Sequence, residues 1–305
     1  MQRHGHALDG RRIIIPIHPD TPIHFLTTIP DMSDPTSSTI AFIGGGNMAS
    51  AIIGGLVRSG SAGADLVVLD PNAEQRARLE REFGVRTLAA ADVALAEAGT
   101  VVWAVKPQSF ASAAAPCAPF VGRALHLSVM AGIRSDAIAR ATGSALVVRS
   151  MPNTPALIGQ GITGLYARAE VSAAQRALVE RLLAATGATL WVGQESDLDA
   201  VTALSGSGPA YVFYFIEAMM AAAEQMGLSA AQGRALALGT FAGATELARR
   251  SDDPPATLRE RVTSKGGTTY AALTALEQAG VKAAFIGAMQ AAQQRAAELG
   301  DEFGR

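Results

Sequence analysis

The sequence predicts an α/β protein in which a doubly wound parallel sheet is followed by an all-α helical domain. Three observations support this. Short segments rich in β-branched residues alternate with helical segments as far as about residue 195. A turn with three consecutive glycines joins the first regular strand to its helix. Beyond residue 195 the chain changes to alanine-rich helical periodicity with few strand patterns.

The first 31 residues differ in composition from the rest. They hold four of the chain's five histidines and four prolines, and three aspartates interrupt the pattern of a targeting peptide. The histidines keep no consistent ligand spacing, so we predict no metal site there. We expect residues 1–36 to form a disordered N-terminal extension, with Met32 as the natural start.

The sheet domain is predicted over residues 37–196. Its strands are expected at residues 39–43, 66–69, 101–105, 125–129 and 145–149. One helix runs from the glycine turn to residue 57, and a second covers 73–83 and ends at Gly84, a suitable C-cap. Strands that alternate with helices are joined by parallel crossovers, so helices should cover both faces of the sheet.

The helical domain is predicted over residues 197–305. Helices are expected at 197–223, 230–250, 255–262, 269–279 and 282–298. Their wide apolar faces need a partner helix for burial, so we expect an interleaved homodimer. A run of small residues, 205–210, interrupts the first helix. This run is either a simple break in the helix, with Pro209 in the first turn of the helix that follows, or a flat wall of small residues beside which a nicotinamide ring or a substrate lies.

Charge and cysteine content exclude several functions. With 25 basic and 27 acidic residues and few aromatics, the chain is not expected to bind nucleic acid. The single Cys117 excludes an intramolecular disulfide and fits a reducing compartment, the cytoplasm. It has no evident activating base and is expected to be a buried thiol. The longest apolar run, 210–223, contains Glu217 and is too short to cross a membrane.

The glycine turn fits a dinucleotide-binding fingerprint. Gly44 would allow the tight turn, Gly46 would let a diphosphate approach the backbone, and Ala49 would let the helix pack closely on the strand. The helix N-terminus then faces the negative charge. Asp70, at the end of the next strand, is a candidate ribose-binding residue. These features together predict a Rossmann-type domain that binds a dinucleotide.

A second candidate site lies late in the chain, at residues 262–270. Two adjacent glycines allow the backbone N–H groups to point one way, and serine and threonine residues flank the turn on both sides. Such a nest suits a small anion, and a carboxylate better than a diphosphate. We expect the nucleotide turn and this nest to form two walls of one active site.

Five motifs occur in one order, at residues 43–49, 104–108, 149–155, 205–210 and 262–270. Together they closely resemble the pyrroline-5-carboxylate reductase family, from about residue 39 to nearly the end. The resemblance implies an NAD(P)H-binding Rossmann-type domain followed by a helical dimerisation domain, with the active site between them. It implies reduction of the C=N bond of 1-pyrroline-5-carboxylate to L-proline, the last step of proline biosynthesis.

The resemblance also implies roles for individual residues. The cofactor would be bound by Ile43, Gly44, Gly45, Gly46, Asn47, Met48, Asp70, Ala104, Val105, Lys106 and Pro107. The substrate carboxylate would be bound, chiefly by main-chain N–H groups, at Ser264, Gly266, Gly267, Thr268 and Thr269. The hydroxyl of Thr269 would contact the ring nitrogen of the substrate. Lys106 is either a catalytic-site residue or a structural lysine at a strand end.

The reaction itself does not require a side-chain acid, because the imine can be protonated in water before it binds. The only histidine after residue 31, His126, lies in an apolar strand and is expected to be packed there. Catalysis would then rest on placing the donor carbon against the acceptor carbon, with Thr269 polarising the nitrogen.

Three positions depart from the family pattern. Asp70 stands where NADPH-preferring members often have small polar or basic residues, and an aspartate at this place favours the unphosphorylated ribose of NADH. Two basic residues, Arg76 and Arg78, follow nearby. The predicted cofactor is therefore NADPH or NADH. Ala91 stands where an adenosine-contacting asparagine is often found. Lys265 stands where many relatives have proline, with little expected effect because the main chain does the binding.

Other functions remain open at this stage. A different imine or β-hydroxyacid reductase would share the architecture, but the latter normally place a catalytic lysine in a second-domain helix, where this chain has only Lys265 and Lys282. A nucleotide-binding sensor without catalysis would be expected to have lost the nest, which is intact. The sequence does not separate a dimer from a ring of dimers.

Overall fold

The computed structural model of the protein describes residues 14–18, 21–24 and 39–304. The chain forms two compact units. One consists of Met1–Gly206 together with Gln293–Arg305, and the other of Ser207–Ala292. The predicted boundary at 196/197 therefore differs from this division, which comes after residue 206 and returns the end of the last helix to the first unit.

Within the described residues, ten strands form one sheet in the order β1-β2-β10-β9-β8-β7-β6-β3-β4-β5. The strands are β1 (Ile14–His18), β2 (Thr21–His24), β3 (Thr39–Ile43), β4 (Leu66–Leu69), β5 (Arg86–Leu88), β6 (Ala98–Trp103), β7 (Leu125–Ser128), β8 (Val147–Met151), β9 (Gly161–Ala167) and β10 (Gly187–Trp191). The six strands from β3 to β8 are parallel and follow the order 3-2-1-4-5-6 of a dinucleotide-binding fold.

The first unit contains six α-helices in the described residues, and the first two, whose bounds were predicted, begin and end close to the predicted residues. The six helices are α1 (Asn47–Arg58), α2 (Ala73–Phe83), α3 (Phe110–Val121), α4 (Ser135–Thr142), α5 (Ala173–Leu183) and α6 (Asp197–Val201). Gly84 ends α2 in the left-handed region at φ 66°, as predicted, because a residue without Cβ adopts that conformation without strain. A short π-helix, Thr202–Gly206, follows α6.

The core lies on both faces of the sheet because successive side chains of each strand point to opposite sides. Phe42 packs on one side with Ile52 and Leu56 of α1. Ile43 packs on the other side with Trp103 and with Cys117 of α3. A strand buried on both faces is expected to be apolar at nearly every position. Both β3 and β4 have this almost wholly apolar composition.

The second unit contains helices α7 (Gly208–Gln225), α8 (Ala230–Arg250), α9 (Pro255–Arg261), α10 (Thr268–Gln278) and most of α11 (Val281–Phe303). Pro209 lies in the first turn of α7, as one of the two interpretations of the small-residue run predicted. The unit exposes many large apolar side chains, among them Val212, Phe213, Tyr214, Leu236, Leu238, Leu247, Leu276 and Ile286. In the part of the chain that was described, no helix is both long and apolar enough to span a bilayer.

Six strands and α-helices between residues 39 and 196 had no predicted range, namely β5, α3, α4, β9, α5 and β10. β9 runs antiparallel to β8, whereas β10 is parallel to β9. Two glycines within β9 weaken its strand pattern, and Gly164 is needed there because a Cβ would lie 2.6 Å from Val201. The N-terminus of α5 did have a recognisable signal, since Ser172 and Gln175 form a capping box.

The segment expected to be disordered contains two described strands. β1 and β2 form an antiparallel hairpin, and β2 pairs with β10 through His24 and Thr189. Strand pairing at these positions differs from the predicted disorder. The other residues before 39, including those around Met32, lie outside the described part, so the rest of that prediction stays a prediction.

Candidate active site

The glycine turn adopts a conformation that requires glycine at its first position. Gly44 has φ +95°, and its N–H donates to Leu69 O at 2.8 Å. A Cβ at this residue would lie 2.7 Å from Ala104 O. Since L side chains rarely adopt this φ and no space exists for one, the chain can turn here only with glycine.

The next positions leave room for a ligand. A Cβ added at Gly46 would meet no atom within 4 Å, so the backbone is open to close approach. Gly46 is the N-cap of α1, and the N–H groups of Asn47, Met48 and Ala49 have no intrahelical partner because they belong to the first turn. The first turn carries no acidic residue. An open backbone with free donors at a helix N-terminus fits a dinucleotide diphosphate.

Asp70 contacts the glycine turn directly. Its Oδ2 accepts a hydrogen bond from Gly45 N–H at 2.8 Å, and its Oδ1 accepts one from Asn72 N–H at 2.9 Å. Gln75 donates from its side-chain amide to Gly45 O, which holds the same turn from the α2 side. The carboxylate predicted to bind ribose is therefore fixed beside the residues predicted to bind the diphosphate.

The two arginines that follow Asp70 do not point freely into solvent. Arg76 donates from one terminal nitrogen to Asp70 O at 2.7 Å and to Pro71 O at 3.0 Å. Arg78 donates to Ser50 Oγ on α1 at 2.8 Å. Both guanidinium groups thus lie near the ends of β4 and α1.

The segment after β6 completes this edge of the sheet. Ala104 N–H donates to Ile43 O at 2.8 Å, and Val105 Cγ1 would lie 3.0 Å from a Cβ at Gly44. Lys106 is exposed and is the N-cap of a short 3₁₀ helix, Pro107–Ser109. The strand order reverses between β3 and β6, so the predicted cofactor residues from three strand ends meet at the topological switch point.

The second candidate site lies within the helical unit, at the start of α10. Gly266 has φ +74°, and Gly267 N–H donates to Ser264 O at 3.0 Å, which closes a tight turn. Gly267 is the N-cap of α10, without a side-chain cap and without an acidic residue in the first turn. The N–H groups of Thr268, Thr269 and Tyr270 therefore have no intrahelical partner. The predicted substrate residues form one compact set of donors.

Thr269 differs from two nearby threonines in the hydrogen bonding of its hydroxyl. Thr263 and Thr274 each donate their hydroxyl back to a main-chain carbonyl, at 2.6 Å and 2.8 Å. Among the residues described, the Thr269 hydroxyl has no such partner, and the side chain is half-buried. Its hydroxyl is available to a ligand seated at the nest.

Comparison with known proteins assigns the chain to a family. A model described as pyrroline-5-carboxylate reductase dimerisation matches residues 195–299, and one described as NADP oxidoreductase coenzyme F420-dependent matches residues 39–132. The pyrroline-5-carboxylate reductase of Pseudomonas aeruginosa is 45% identical, over 87% of this chain and 98% of its own length. This chain belongs to the pyrroline-5-carboxylate reductase family.

Solved structures of pyrroline-5-carboxylate reductases have the same fold. That from Coxiella burnetii is 36% identical, with a TM-score of 0.81 over 86% of this chain and 98% of the other. The Plasmodium falciparum enzyme, solved with NADP bound, is 27% identical, with a TM-score of 0.77 over 86% and 98%. The family membership, the Rossmann-type sheet followed by a helical region, and NAD(P) as the cofactor class are thereby confirmed, and the dimerisation match supports oligomerisation.

A buried charged cluster behind the sheet edge was not identified from the sequence. Arg149 on β8 donates to Glu195 Oε1 at 2.9 Å, and Glu195 also accepts from the N–H and Oγ of Ser135, both at 2.6 Å. Arg134 forms a two-point pair with Asp199 at 3.0 and 2.9 Å. The available signal was a charged residue, Arg149, within an apolar strand, which implies a buried partner.

This cluster holds α6 and the π-helix that follows it against the sheet. Asp199 lies in α6, and Asn153 donates to Ser205 Oγ in the π-helix at 3.3 Å. Gly206 is close to the same strand end, because a Cβ there would lie 2.6 Å from Met151. Two of the five family motifs, 149–155 with Arg149 and Asn153 and 205–210 with Ser205, thus serve in part to position this segment.

Two further titratable residues are core residues, as the sequence predicted. Burial raises the pKa of the Cys117 thiol to about 11, which leaves it unreactive at neutral pH. Burial lowers the pKa of His126 to about 4, so it is neutral at neutral pH. Neither side chain reaches the glycine turn.

Proposed function

We propose that the chain reduces the C=N bond of 1-pyrroline-5-carboxylate to L-proline, the last step of proline biosynthesis, with NADPH or NADH. The match to the Pseudomonas aeruginosa reductase over 98% of its length carries this proposal, and the two family models, over residues 39–132 and 195–299, include the glycine turn and the nest. The described geometry supports it at each of the two places separately.

The cofactor would be held by the glycine turn and its neighbours. The N–H groups at the start of α1 suit the diphosphate, and the open face of Gly46 admits it. Asp70 is fixed beside the turn for the ribose. Ala104, Val105 and Pro107 would border the nicotinamide half, and Lys106, exposed at the strand end, would contact the cofactor from there. A bound nicotinamide dinucleotide would supply the hydride.

The nest would bind and orient the substrate. Main-chain N–H groups at Thr268 and Thr269, with the Ser264 hydroxyl, would bind the carboxylate at the turn formed by Gly266 and Gly267, and the helix N-terminus favours its charge. This fixes the ring so that the free Thr269 hydroxyl contacts the ring nitrogen. The nitrogen takes up the electron pair of the C=N bond as the hydride adds to the carbon, and Thr269 stabilises that change.

No side-chain acid is needed in this scheme. The imine nitrogen takes its proton from water before binding, so the product amine is complete after hydride addition. Lys265, the cation within the nest segment, is exposed, in keeping with binding by the main chain. Catalysis then depends on orientation and on stabilisation at the nitrogen.

We infer the assembly and the domain limits on the same basis. Residues 197–305 would form a homodimerisation domain, in which the exposed apolar side chains of α7, α8 and α10 become buried against a second copy. Residues 37–196 would form the cofactor domain, and 1–36 an extension. Such dimers can associate further into a ring. A buried, unreactive thiol is consistent with a reducing compartment such as the cytoplasm.

The test follows NAD(P)H absorbance with 1-pyrroline-5-carboxylate, with L-proline identified as the product by chiral chromatography. Turnover that yields L-proline with either cofactor supports the proposal. A folded protein that binds the cofactor but forms no proline would contradict it. Light scattering coupled to size exclusion gives the mass of the assembly, and a monomer at micromolar concentration would contradict the dimer.

A further inference from the structure

We propose, resting on the function proposed above, that Asp70 makes this chain prefer NADH to NADPH. Asp70 lies at the end of β4, beside the turn expected to hold the diphosphate. This is where a dinucleotide-binding fold places the adenosine ribose. The two cofactors differ only at that ribose, in a 2′-hydroxyl or a 2′-phosphate.

The Asp70 carboxylate is held in one orientation by two main-chain donors. Oδ2 accepts from Gly45 N–H at 2.8 Å and Oδ1 from Asn72 N–H at 2.9 Å. An ionised carboxylate has about four acceptor positions, so about two remain free. A ribose with both hydroxyls offers two donors. The fixed carboxylate is thus suited to the unphosphorylated sugar of NADH.

The 2′-phosphate of NADPH, in contrast, is poorly suited to this carboxylate. It carries a charge of about −1.5 to −2 at neutral pH and offers essentially no donor to the carboxylate. The side chain of Asp70 is half-buried at the rim of the site, so water screens the repulsion only in part. Like charges about 4 Å apart at such a place weaken binding by about tenfold or more.

Two arginines reduce this repulsion without removing it. Arg76 is the nearer cation, since it donates to the main-chain carbonyls of Asp70 and Pro71. Arg78 is directed to Ser50 on α1. In the described contacts, each guanidinium group donates to a neutral oxygen and not to the Asp70 carboxylate. Without the carboxylate, Arg76 would be the residue left to attract a 2′-phosphate.

Direct binding of the two cofactors tests this independently of turnover. Isothermal titration of the full chain with NADH and with NADPH should give an NADH Kd lower by about tenfold or more. Asp70→Ser should reverse or abolish the preference, and adding Arg76→Ala to it should remove most of the gained NADPH affinity. Asp65→Ser is the matched control, because Asp65 lies at the other end of β4 and should leave the ratio unchanged.

Asp70→Asn covers the case in which the serine variant fails to fold. It keeps an acceptor for Gly45 N–H and removes the charge, so the ratio of Kd values should fall towards one. Equal or tighter NADPH binding by the unsubstituted chain, or an unchanged ratio in a folded Asp70 variant, would overturn the proposal. Preferential NADH binding without turnover of 1-pyrroline-5-carboxylate would leave it standing and would instead overturn the proposed reaction.

Discussion

Trp103 donates a hydrogen bond from its indole N–H to Nδ1 of His126, across 3.0 Å in the interior of the sheet. The neutral imidazole therefore carries its proton on Nε2, which is buried. Protonation would place a second donor opposite the indole N–H. Burial is the main cause that lowers the pKa of His126 to about 4, and a hydrogen bond with the Val121 backbone opposes it in part.

The stability of the protein should consequently fall between pH 6.5 and pH 4. The unfolded chain binds a proton at His126 near pH 6.5 and the folded chain only near pH 4, so the unfolded state binds more protons in that window. The stabilisation is complete above pH 6.5 and is lost as pH falls, by about 3 kcal/mol in total.

Urea unfolding at a series of pH values and one protein concentration measures this loss. His126→Asn keeps an acceptor for Trp103 and does not titrate, so its free energy of unfolding should change less over the same window. A variant with the same pH slope as the unsubstituted chain would show that His126 is not the responsible group.

Local backbone conformations were easier to predict from the sequence than the long-range contacts that hold them. The glycine turn and the C-cap at Gly84 depend on local conformation, which a short pattern reveals. The bond between Asp70 and Gly45 joins residues 25 positions apart, and the pair of Arg149 and Glu195 joins residues 46 positions apart. No local pattern encodes such pairings. β9 was missed because Gly164 serves close packing against Val201 and Gly161 close packing against Thr186 and Ala156, contacts that only the tertiary fold creates.

Gly46→Ala should weaken dinucleotide binding without affecting folding. A Cβ there meets no protein atom within 4 Å, so the free energy of unfolding should be almost unchanged. The methyl group would instead occupy the approach to the α1 N-terminus, where loss of one hydrogen bond to a charged group costs about 1.5–3 kcal/mol. The Kd for the cofactor should rise by roughly tenfold to a hundredfold.

Two other glycine substitutions serve as controls for this measurement. Gly193→Ala also places a Cβ in open space, but outside the turn, and should leave both the cofactor Kd and stability unchanged. Gly44→Ala should destabilise the fold, since its Cβ would lie 2.7 Å from Ala104 O at a φ of +95°. Titration calorimetry and urea unfolding separate the three outcomes. Normal cofactor affinity in Gly46→Ala would argue against a diphosphate at this turn.

Thr269→Ala should lower kcat and leave cofactor binding intact. Its hydroxyl has no partner in the described structure and is the one expected at the substrate nitrogen. Removal of one donor that acts on developing charge typically costs about 10²–10³ in kcat. Thr274→Ala is a matched control on the same helix, because that hydroxyl is bound to Tyr270 O at 2.8 Å. Steady-state kinetics with near-normal kcat in Thr269→Ala would remove this residue from the mechanism.

Arg149→Met should destabilise the protein more than its change in volume suggests. The Arg149 side chain is 5% exposed and its partner Glu195 is 21% exposed, so removal of the guanidinium leaves a largely buried carboxylate without its cation. Breaking one side of a buried pair costs about 3–5 kcal/mol. Glu195→Gln removes the opposite charge and keeps an acceptor for Ser135.

The double variant should therefore be more stable than the sum of the two single losses implies, by about 1–3 kcal/mol of coupling. Urea unfolding of the four proteins closes the double-mutant cycle. Additive losses would mean that Arg149 and Glu195 act independently despite a separation of 2.9 Å. Coupling would establish that the ion pair itself fixes Glu195, and through Glu195 the N–H and hydroxyl of Ser135 at the start of α4.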